Sequence, residues 1–193
     1  MQVSPELCYG CFESIDNHLS RTKCRVVYDH IVKEPKNLES CPLFVTWTIN
    51  GNLRGCIGCF EPQEFPIGLY EYAKIAAFED PRFSPITKSE IQELECEVSL
   101  LHSFEPCKDP FDWEVGIHGV IFEYNGHNAT FLPEVAAEQN WNKLQTLHQL
   151  AKKSGLRSRL KEDQIKNVKM RRYQSSHRKS TYHEYKSFID STK

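Results

Sequence analysis

Two Asn-Gly dipeptides, Asn50-Gly51 and Asn125-Gly126, constrain the fold of this chain more than any other feature of its sequence. Asn-Gly is the preferred pair for a two-residue turn between antiparallel strands, because both positions need a positive φ. The residues on either side of each dipeptide are rich in β-branched and aromatic side chains or alternate between apolar and polar. The sequence therefore predicts two antiparallel hairpins. They would pair residues 43–49 with 52–60, and residues 113–124 with 129–132.

Apolar side chains at three- and four-residue spacing predict helices over much of the remaining chain. Helices are predicted at residues 5–19, 66–78, 87–94, 133–139, 142–153 and from residue 180 onward, and further strands at 95–101 and 168–174. Hairpins with helices segregated from them predict an α+β fold, with a mostly antiparallel sheet and flanking helices. A length of 193 residues suits one domain over residues 1–193 that buries a substantial core.

Charge is distributed unevenly along the chain. Residues 1–150 carry 11 Lys and Arg against 22 Asp and Glu, whereas residues 151–193 carry 13 against 4. Such asymmetry is typical of a surface for nucleic acid or an acidic protein, and equally of a basic segment that packs on an acidic body. The positive charge includes a cluster around Tyr173 that could bind phosphates. Its members are Lys166, Lys169, Arg171, Arg172, Arg178 and Lys179.

The eight cysteines favour a reducing compartment. No apolar segment is long enough to span a bilayer, and the first twenty residues lack the apolar stretch of a secretory signal. We therefore predict a protein of the cytoplasm, the nucleus or both, without membrane contact, whose thiols stay reduced. Two CxxC pairs, Cys8/Cys11 and Cys56/Cys59, raise the alternative of a four-cysteine zinc site. Strand parity argues against that site, because residues three apart point to opposite faces, and no metal or cofactor is predicted.

The segment Leu53-Arg-Gly-Cys-Ile-Gly58 is the strongest candidate for a functional site. Glycine within a strand requires a bulge, a bend or a close approach of other atoms, so Gly55 and Gly58 need an explanation. In a regular strand Arg54, Cys56 and Gly58 share one face, and an arginine beside a thiol lowers the pKa of that thiol. Cys56 is thus a candidate nucleophile. The alternative is a small buried cysteine, with glycines that let a helix pack closely.

Three residues elsewhere are weaker candidates for ligand contact. His118 would share a strand face with Glu114 and could act as the base for Cys56 if the two strands meet. Asp80 and Arg82 lie in a proline-bounded loop, Asp80-Pro-Arg-Phe-Ser-Pro85. They could present opposite charges at the mouth of a cleft, or form an ion pair that only stabilises the loop.

Five segments together point to a family. They occur in the order Leu53-Arg-Gly-Cys-Ile-Gly58, Asp80-Pro-Arg-Phe83, Glu97-Val-Ser-Leu-Leu101, Asp112-Trp-Glu-Val-Gly-Ile-His-Gly119 and Phe131-Leu-Pro-Glu-Val135. This set resembles the AMMECR domain family, named for the Alport syndrome, midface hypoplasia and elliptocytosis chromosomal region. His118 is similar to the eukaryotic branch, since prokaryotic members tend to carry Asp there. The resemblance extends from Cys11 to Tyr173.

The resemblance implies an α+β fold with a larger and a smaller subdomain, and a cleft bordered by the Arg-Gly-Cys-Ile-Gly motif. It brings no established activity, although prokaryotic relatives are linked with Memo-type and radical-SAM proteins, which points to small-molecule chemistry. At the Cys59 position the family usually has Thr, which makes the second CxxC incidental. We predict binding of a small polar or anionic ligand by Arg54, Gly55, Gly58, Asp80, Arg82 and His118, with Cys56 as the nucleophile. The alternative is a non-catalytic module that binds an acidic protein or nucleic acid through residues 157–179.

Overall fold

The computed structural model describes residues 3–33 and 40–192. Its helices are α1 (Pro5–Ser20), α2 (Val26–Lys33), α3 (Ile67–Phe78), α4 (Pro133–Glu138), α5 (Lys143–Lys153), α6 (Glu162–Ile165) and α7 (Tyr182–Ser191), with a 3₁₀ turn at Ile91–Glu93. Its strands are β1 (Ser40–Ile49), β2 (Asn52–Glu64), β3 (Leu94–Pro106), β4 (Gly119–Tyr124), β5 (His127–Phe131) and β6 (Lys169–Thr181). No helix within these residues is long and apolar enough to cross a membrane.

The six strands are hydrogen-bonded in the order β2-β1-β3-β6-β4-β5. β1 runs antiparallel to β2 and β3, and β4 runs antiparallel to β5 and β6. The predicted α+β class with a mostly antiparallel sheet is confirmed. The chain divides into two compact units, a larger unit 1 (residues 1–101 and 176–193) and a smaller unit 2 (residues 102–175). β3 and β6 each contribute residues to both.

The core of unit 1 lies on one face of its strands. Leu43, Val45 and Trp47 alternate along β1 and are fully buried. Helices α1 and α3 cover them, since Phe12 contacts the Trp47 ring edge-on at 5.1 Å and Trp47 Nε1 donates to the Ala73 carbonyl at 3.1 Å. Phe44, Thr46 and Thr48, which alternate with these residues, are only half-buried. Unit 1 therefore has one apolar face that forms its core and one face that carries polar side chains.

The core of unit 2 is a separate cluster. Trp113, Val120, Phe122, Leu147 and Leu150 are all buried in it. The strand residues alternate and the helix residues are three apart, so each element presents one apolar face to this cluster.

Both predicted hairpins are confirmed. Asn50 and Gly51 have φ of 51° and 76°, and Asn125 and Gly126 have φ of 48° and 79°. Positive φ at both central residues is the requirement of a type I′ turn, which Asn and Gly tolerate best. Gly155 has φ 92° and follows α5, and a glycine with positive φ commonly ends a helix.

Some sequence predictions were wrong in detail. The predicted helix from Thr87 is a turn followed by the single 3₁₀ turn, with Glu90 accepting from the Thr87 N–H at 2.8 Å. Residues 113–118, predicted as strand, form turns, in which the His118 N–H donates to the Glu114 carbonyl at 3.0 Å. Gly116 has φ 80°, which a β-strand does not accommodate. The apolar alternation there reflects burial of Trp113 and not strand pairing.

Helices α2 and α6 were not predicted, and β6 is longer than expected. Helix α2 depends on a distant residue, because the buried Glu13 carboxylate accepts hydrogen bonds from the N–H groups of Val27 (2.9 Å) and Tyr28 (3.1 Å). A carboxylate at a helix N-terminus satisfies N–H groups that have no partner within the helix. Local sequence around α2 carries no such capping residue.

Candidate functional site around Cys56

The segment around Cys56 lies in β2, an edge strand with a bulge. Trp47 pairs with Gly55 and Thr48 pairs with Leu53, so Arg54 is an extra residue on β2. A bulge of this kind interrupts the regular alternation of side chains between the two faces of the strand. The regular alternation from which the sequence predicted a shared face for Arg54, Cys56 and Gly58 is therefore interrupted at Arg54.

The two glycines have explanations within unit 1. A Cβ on Gly55 would collide with the backbone carbonyl of Ala76 in α3, and a Cβ on Gly58 would collide with the Leu43 carbonyl and the Phe44 ring. Close packing of a helix on a strand, the alternative raised from the sequence, accounts for Gly55. A role for either glycine in ligand contact stays a prediction.

The backbone of Cys56 is held from both sides by the Asp80–Arg82 pair. Asp80 Oδ2 accepts from the Cys56 N–H at 2.9 Å, and Arg82 Nη2 donates to the Cys56 carbonyl at 3.0 Å. Arg82 also donates to both carboxylate oxygens of Asp80, at 2.9 and 2.7 Å. β2 lies at the edge of the sheet, where backbone groups lack a neighbouring strand. The loop thus supplies the partners that a further strand would supply.

This ion pair is asymmetric in exposure. The Asp80 side chain is 2% exposed and the Arg82 side chain 55% exposed. The Arg82 guanidinium, together with the N–H of Cys56, holds the pKa of the Asp80 carboxyl well below its usual range. The carboxylate in turn raises the pKa of Arg82. Asp80 is therefore ionised at neutral pH.

Arg54 points toward a different partner. Its Nε donates to Glu90 Oε1 at 2.8 Å, and its Nη1 donates to the Ser84 carbonyl at 2.7 Å. The guanidinium lowers the pKa of Glu90 to about 2. Arg54 therefore ties the 84–90 loop to β2.

The thiol of Cys56 is half-buried and bound to a hydroxyl. Thr46 Oγ1, on the neighbouring strand β1, donates to Cys56 Sγ at 3.1 Å. Burial raises the pKa of the Cys56 thiol, and the Thr46 hydroxyl and Arg82 oppose that effect only in part. The sequence prediction that an adjacent Arg54 lowers this pKa was wrong, because its guanidinium is engaged by Glu90.

Cross-strand pairing reveals two residues that the sequence reasoning missed. Thr46 lies opposite Cys56 on one side and opposite Glu97 of β3 on the other, so the three form one row across the sheet. They lie on the polar face of unit 1. Thr46 and Glu97 each lie between two buried residues, and this alternation could have indicated from the sequence that they share a polar face. That they are neighbours follows only from the pairing of β1 with both β2 and β3.

The other charged groups on this side of unit 1 have partners. Glu95 accepts from Thr48 Oγ1 at 3.3 Å and pairs with Lys179 at 3.5 Å. Glu97 has no hydrogen bond or ion pair with any residue that the structure describes. It is half-buried, and neither of its oxygens is a buried atom without a partner. Glu97 is therefore a solvent-accessible carboxylate that can still accept hydrogen bonds. It lies directly across from Thr46, the residue that binds the thiol.

His118 belongs to unit 2, whereas Cys56, Arg54, Asp80 and Arg82 belong to unit 1. The His118 Nδ1 atom accepts from the Glu114 N–H at 2.9 Å, within the turn that replaces the predicted strand. That bond leaves Nε2 as the nitrogen that can carry a proton in neutral histidine. The role of His118 as a ligand contact stays a prediction.

The remaining cysteines do not form the four-cysteine site considered from the sequence. Cys8 and Cys11 are fully buried in the unit 1 core, and Cys59 Sγ donates to the Glu61 carbonyl at 3.2 Å. Across residues 3–33 and 40–192, no three His, Cys, Asp or Glu side chains are arranged to hold a metal ion.

The basic C-terminal segment is partly neutralised within each unit. In unit 2, Arg172 pairs with Glu105 at 3.1 Å and with Asp112 at 2.9 Å. In unit 1, Lys179 pairs with Glu95. These contacts fit the alternative in which the basic segment complements the acidic body.

Comparison with known proteins identifies the family. The sequence profile of the AMMECR1 family matches residues 8–178. The chain therefore belongs to the AMMECR1 family, and the resemblance recognised from its motifs is confirmed.

Relatives occur in plants and fungi. An uncharacterised protein of Arabidopsis thaliana is 35% identical over 206 residues, covering 100% of this chain and 92% of its own length. An uncharacterised protein of Schizosaccharomyces pombe is 40% identical over 188 residues, covering 93% and 94%. The crystal structure of an uncharacterised protein from Pyrococcus horikoshii matches with a TM-score of 0.70 at 25% identity, covering 90% of this chain and 89% of that one.

Proposed function

We propose that the polar face of the unit 1 sheet binds a small polar ligand and that the Cys56 thiol lies beside the bound ligand. One observation carries this proposal. The Asp80–Arg82 pair holds both the N–H and the carbonyl of Cys56, so a half-buried thiol is fixed on the face that does not form the core. A reactive group is more effective when its position is fixed before the ligand binds.

The residues around the thiol have complementary roles. The Thr46 hydroxyl, which donates to Sγ, would stabilise the thiolate form when it reacts. The Glu97 carboxylate, across Thr46 on β3, can accept a proton or a hydrogen bond from the ligand. Because burial raises the pKa of Cys56, the thiol is mainly protonated at neutral pH. The free thiol is therefore a weak nucleophile at neutral pH.

Disulfide-exchange capture tests this proposal. The intact protein is equilibrated with small fragments carried as mixed disulfides, in the presence of 2-mercaptoethanol, and peptide mapping locates each retained fragment. Fragments that contact the surface around a thiol resist release, so at least one fragment should be retained about tenfold more at Cys56 than at Cys59. Cys59 is the matched control, because it is also half-buried and lies on the same strand.

Two cysteine variants test whether the selective retention depends on the Cys56 thiol. Cys56→Ser should abolish selective retention, and Cys59→Ser should preserve it. Equal retention of every fragment at Cys56 and Cys59 would overturn the proposal.

A reducing compartment is part of the proposal. All eight cysteines are free thiols, which supports a location in the cytoplasm, the nucleus or both. An oxidised form of the protein isolated from its cell would contradict that location.

A second candidate function uses unit 2. Lys166, Lys169 and Arg171 are exposed within six residues, and three lysine or arginine contacts to phosphates would give a salt-dependent affinity for nucleic acid. With three phosphate contacts, the affinity for a fluorescent 20-base-pair DNA duplex should fall about 40-fold between 50 and 200 mM salt. Binding that is absent at low salt, or that does not respond to salt, would exclude this function.

A further inference from the structure

Two aromatic side chains lie on the same polar face as Cys56. Phe44 of β1 pairs with Gly58 of β2, two residues along from the Thr46–Cys56 pair, and Phe60 follows Gly58 with the same parity. The rings of Phe44 and Phe60 meet edge to face, with centroids 5.6 Å apart and an interplanar angle of 73°. Residues two apart on one strand face are about 7 Å apart. The aromatic surface therefore begins one position along this face from the Thr46–Cys56 pair, a spacing of about 7 Å.

These rings are not explained by the protein's own core. Both are half-buried, and neither belongs to the apolar cluster of unit 1 or of unit 2. The Phe44 ring lies over Gly58, since a Cβ there would collide with its Cγ and Cδ1 atoms. The absence of a side chain at Gly58 therefore leaves the space on β2 that this ring occupies. Aromatic rings favour offset or edge contacts with a further ring.

The charged groups on this face indicate which charge a complementary ligand would carry. The two guanidinium groups are already engaged by carboxylates, Arg54 by Glu90 and Arg82 by Asp80, and Lys179 is paired with Glu95. Beside Thr46, the Glu97 carboxylate has no hydrogen bond or ion pair with any residue that the structure describes. A ligand that donates hydrogen bonds or carries positive charge is complementary to it, whereas an anion would be repelled.

We infer that the ligand of this site is a small arylalkylamine, with its ring on Phe44 and Phe60 and its ammonium group at Glu97. This inference rests on the proposed function and specifies the ligand class for the same site. It replaces the anionic ligand that Arg54 suggested in the sequence. The thiol and Glu97 lie on opposite sides of Thr46, and Phe44 is the next residue on the same face of β1, so all three groups surround one part of this face.

Three fragments separate the contribution of the ring from that of the charge. Each is attached through the same two-carbon disulfide linker: 4-(aminomethyl)benzamide, 4-carboxybenzamide and 6-aminohexanamide. The first carries ring and amine, the second carries ring and carboxylate, and the third carries amine alone. We expect the first to be retained at Cys56 about threefold or more over each of the others, the size typical of one aromatic contact or one solvent-exposed ion pair.

Two variants assign each preference to its residue. Glu97→Gln should remove the preference for amine over carboxylate, and Phe44→Leu should remove the preference for ring over alkyl chain. Phe188→Leu, which removes a ring that contacts Tyr9 on another surface of unit 1, should leave both preferences unchanged. Thermal unfolding verifies that each variant is folded, and the comparison of fragments on the wild-type protein needs no variant.

The outcomes distinguish the inference from the proposed function. Selective retention at Cys56 without preference for ring or amine would overturn the inference and leave the proposed function intact. Retention no greater at Cys56 than at Cys59 would overturn both.

Discussion

The Asp80 carboxylate accepts a hydrogen bond from the backbone N–H of Cys56 at 2.9 Å, across 24 positions of sequence. Because Arg82 binds both that carboxylate and the Cys56 carbonyl, the 80–85 loop behaves as an additional partner for the edge strand β2. The position of the thiol therefore depends on a loop and not on its own strand alone. The following predictions test that dependence and its chemical consequences.

Asp80→Asn should destabilise the protein by about 1–3 kcal/mol, the range for hydrogen bonds to a charged group, because the buried amide cannot bind Arg82 as an ion pair. Urea unfolding at pH 7 measures the change. The matched control is Asp29→Asn, whose partner Arg25 is exposed and four residues away, so its effect should stay below about 0.5 kcal/mol. Equal effects of the two substitutions would show that the Asp80 contacts add nothing beyond a surface ion pair.

Acid should weaken the fold in part through Glu90. Its pKa is lowered to about 2 by Arg54, against about 4.3 in an unfolded chain. A lowered folded-state pKa contributes stability that is complete above about pH 5 and is lost as the pH falls toward 2.

The Glu90→Gln variant isolates this contribution. Its free energy of unfolding should be lower than wild type at pH 7, and the difference should shrink as the pH falls to about 2.5. Urea unfolding at several pH values gives both curves. A difference that is constant with pH would show that Glu90 acts by packing and not by charge.

The Cys56 thiol should react slowly with iodoacetamide at pH 7, more slowly than free cysteine, because burial raises its pKa. This expectation reverses the fast reaction at mildly acidic pH that an adjacent arginine would have produced. Reaction rates at a series of pH values, with peptide mapping to separate the eight thiols, measure it. A rate at Cys56 above that of free cysteine at pH 7 contradicts the description of the site.

Two substitutions should move that rate in opposite directions. Thr46→Val removes the hydroxyl that donates to Sγ, so the pKa should rise and the rate at pH 7 should fall by about 2- to 10-fold. Glu97→Gln removes a negative charge that raises the pKa, so the rate should increase. Changes in the same direction for both variants would point to altered exposure instead of altered pKa.

Gly55→Ala should destabilise unit 1 by about 1–3 kcal/mol, because the added methyl group meets the Ala76 carbonyl of α3 and backbone cannot move as a side chain can. Leu53→Ala is the control on the same strand, since Leu53 is 42% exposed. The control should change the free energy of unfolding by less than about 0.5 kcal/mol. A neutral Gly55→Ala would mean that α3 does not approach β2 this closely.

Local sequence predicted most of the fold because its signals are local. Asn-Gly turns, the Pro66 start of α3 and the Gly155 end of α5 depend on φ preferences of single residues. Residues 113–118 misled the prediction, since buried Trp113 and its apolar neighbours mimic a strand, whereas Gly116 adopts a turn conformation. Helix α2 was missed because its N-terminus is capped by Glu13, from a different helix.

The candidate site was predicted less well than the fold, for a related reason. An ion pair between Asp80 and Arg82 was one of the two alternatives that the sequence offered for this loop. The partner of Arg54 was not, because a one-residue bulge changes side-chain direction, and the partner residue, Glu90, lies 36 positions away. Thr46 and Glu97 become neighbours of the thiol only through strand pairing, which spacing along the chain does not encode.

The most direct test of the central claim is the retained amount of 4-(aminomethyl)benzamide fragment at Cys56 relative to Cys59, measured by peptide mapping of the same protein sample. Binding of this fragment on the polar face beside a fixed thiol predicts retention about tenfold higher at Cys56, and Glu97→Gln or Phe44→Leu should each reduce that excess about threefold. Equal retention at the two cysteines, for this fragment and for every other fragment tried, would contradict the claim that this face is a binding site.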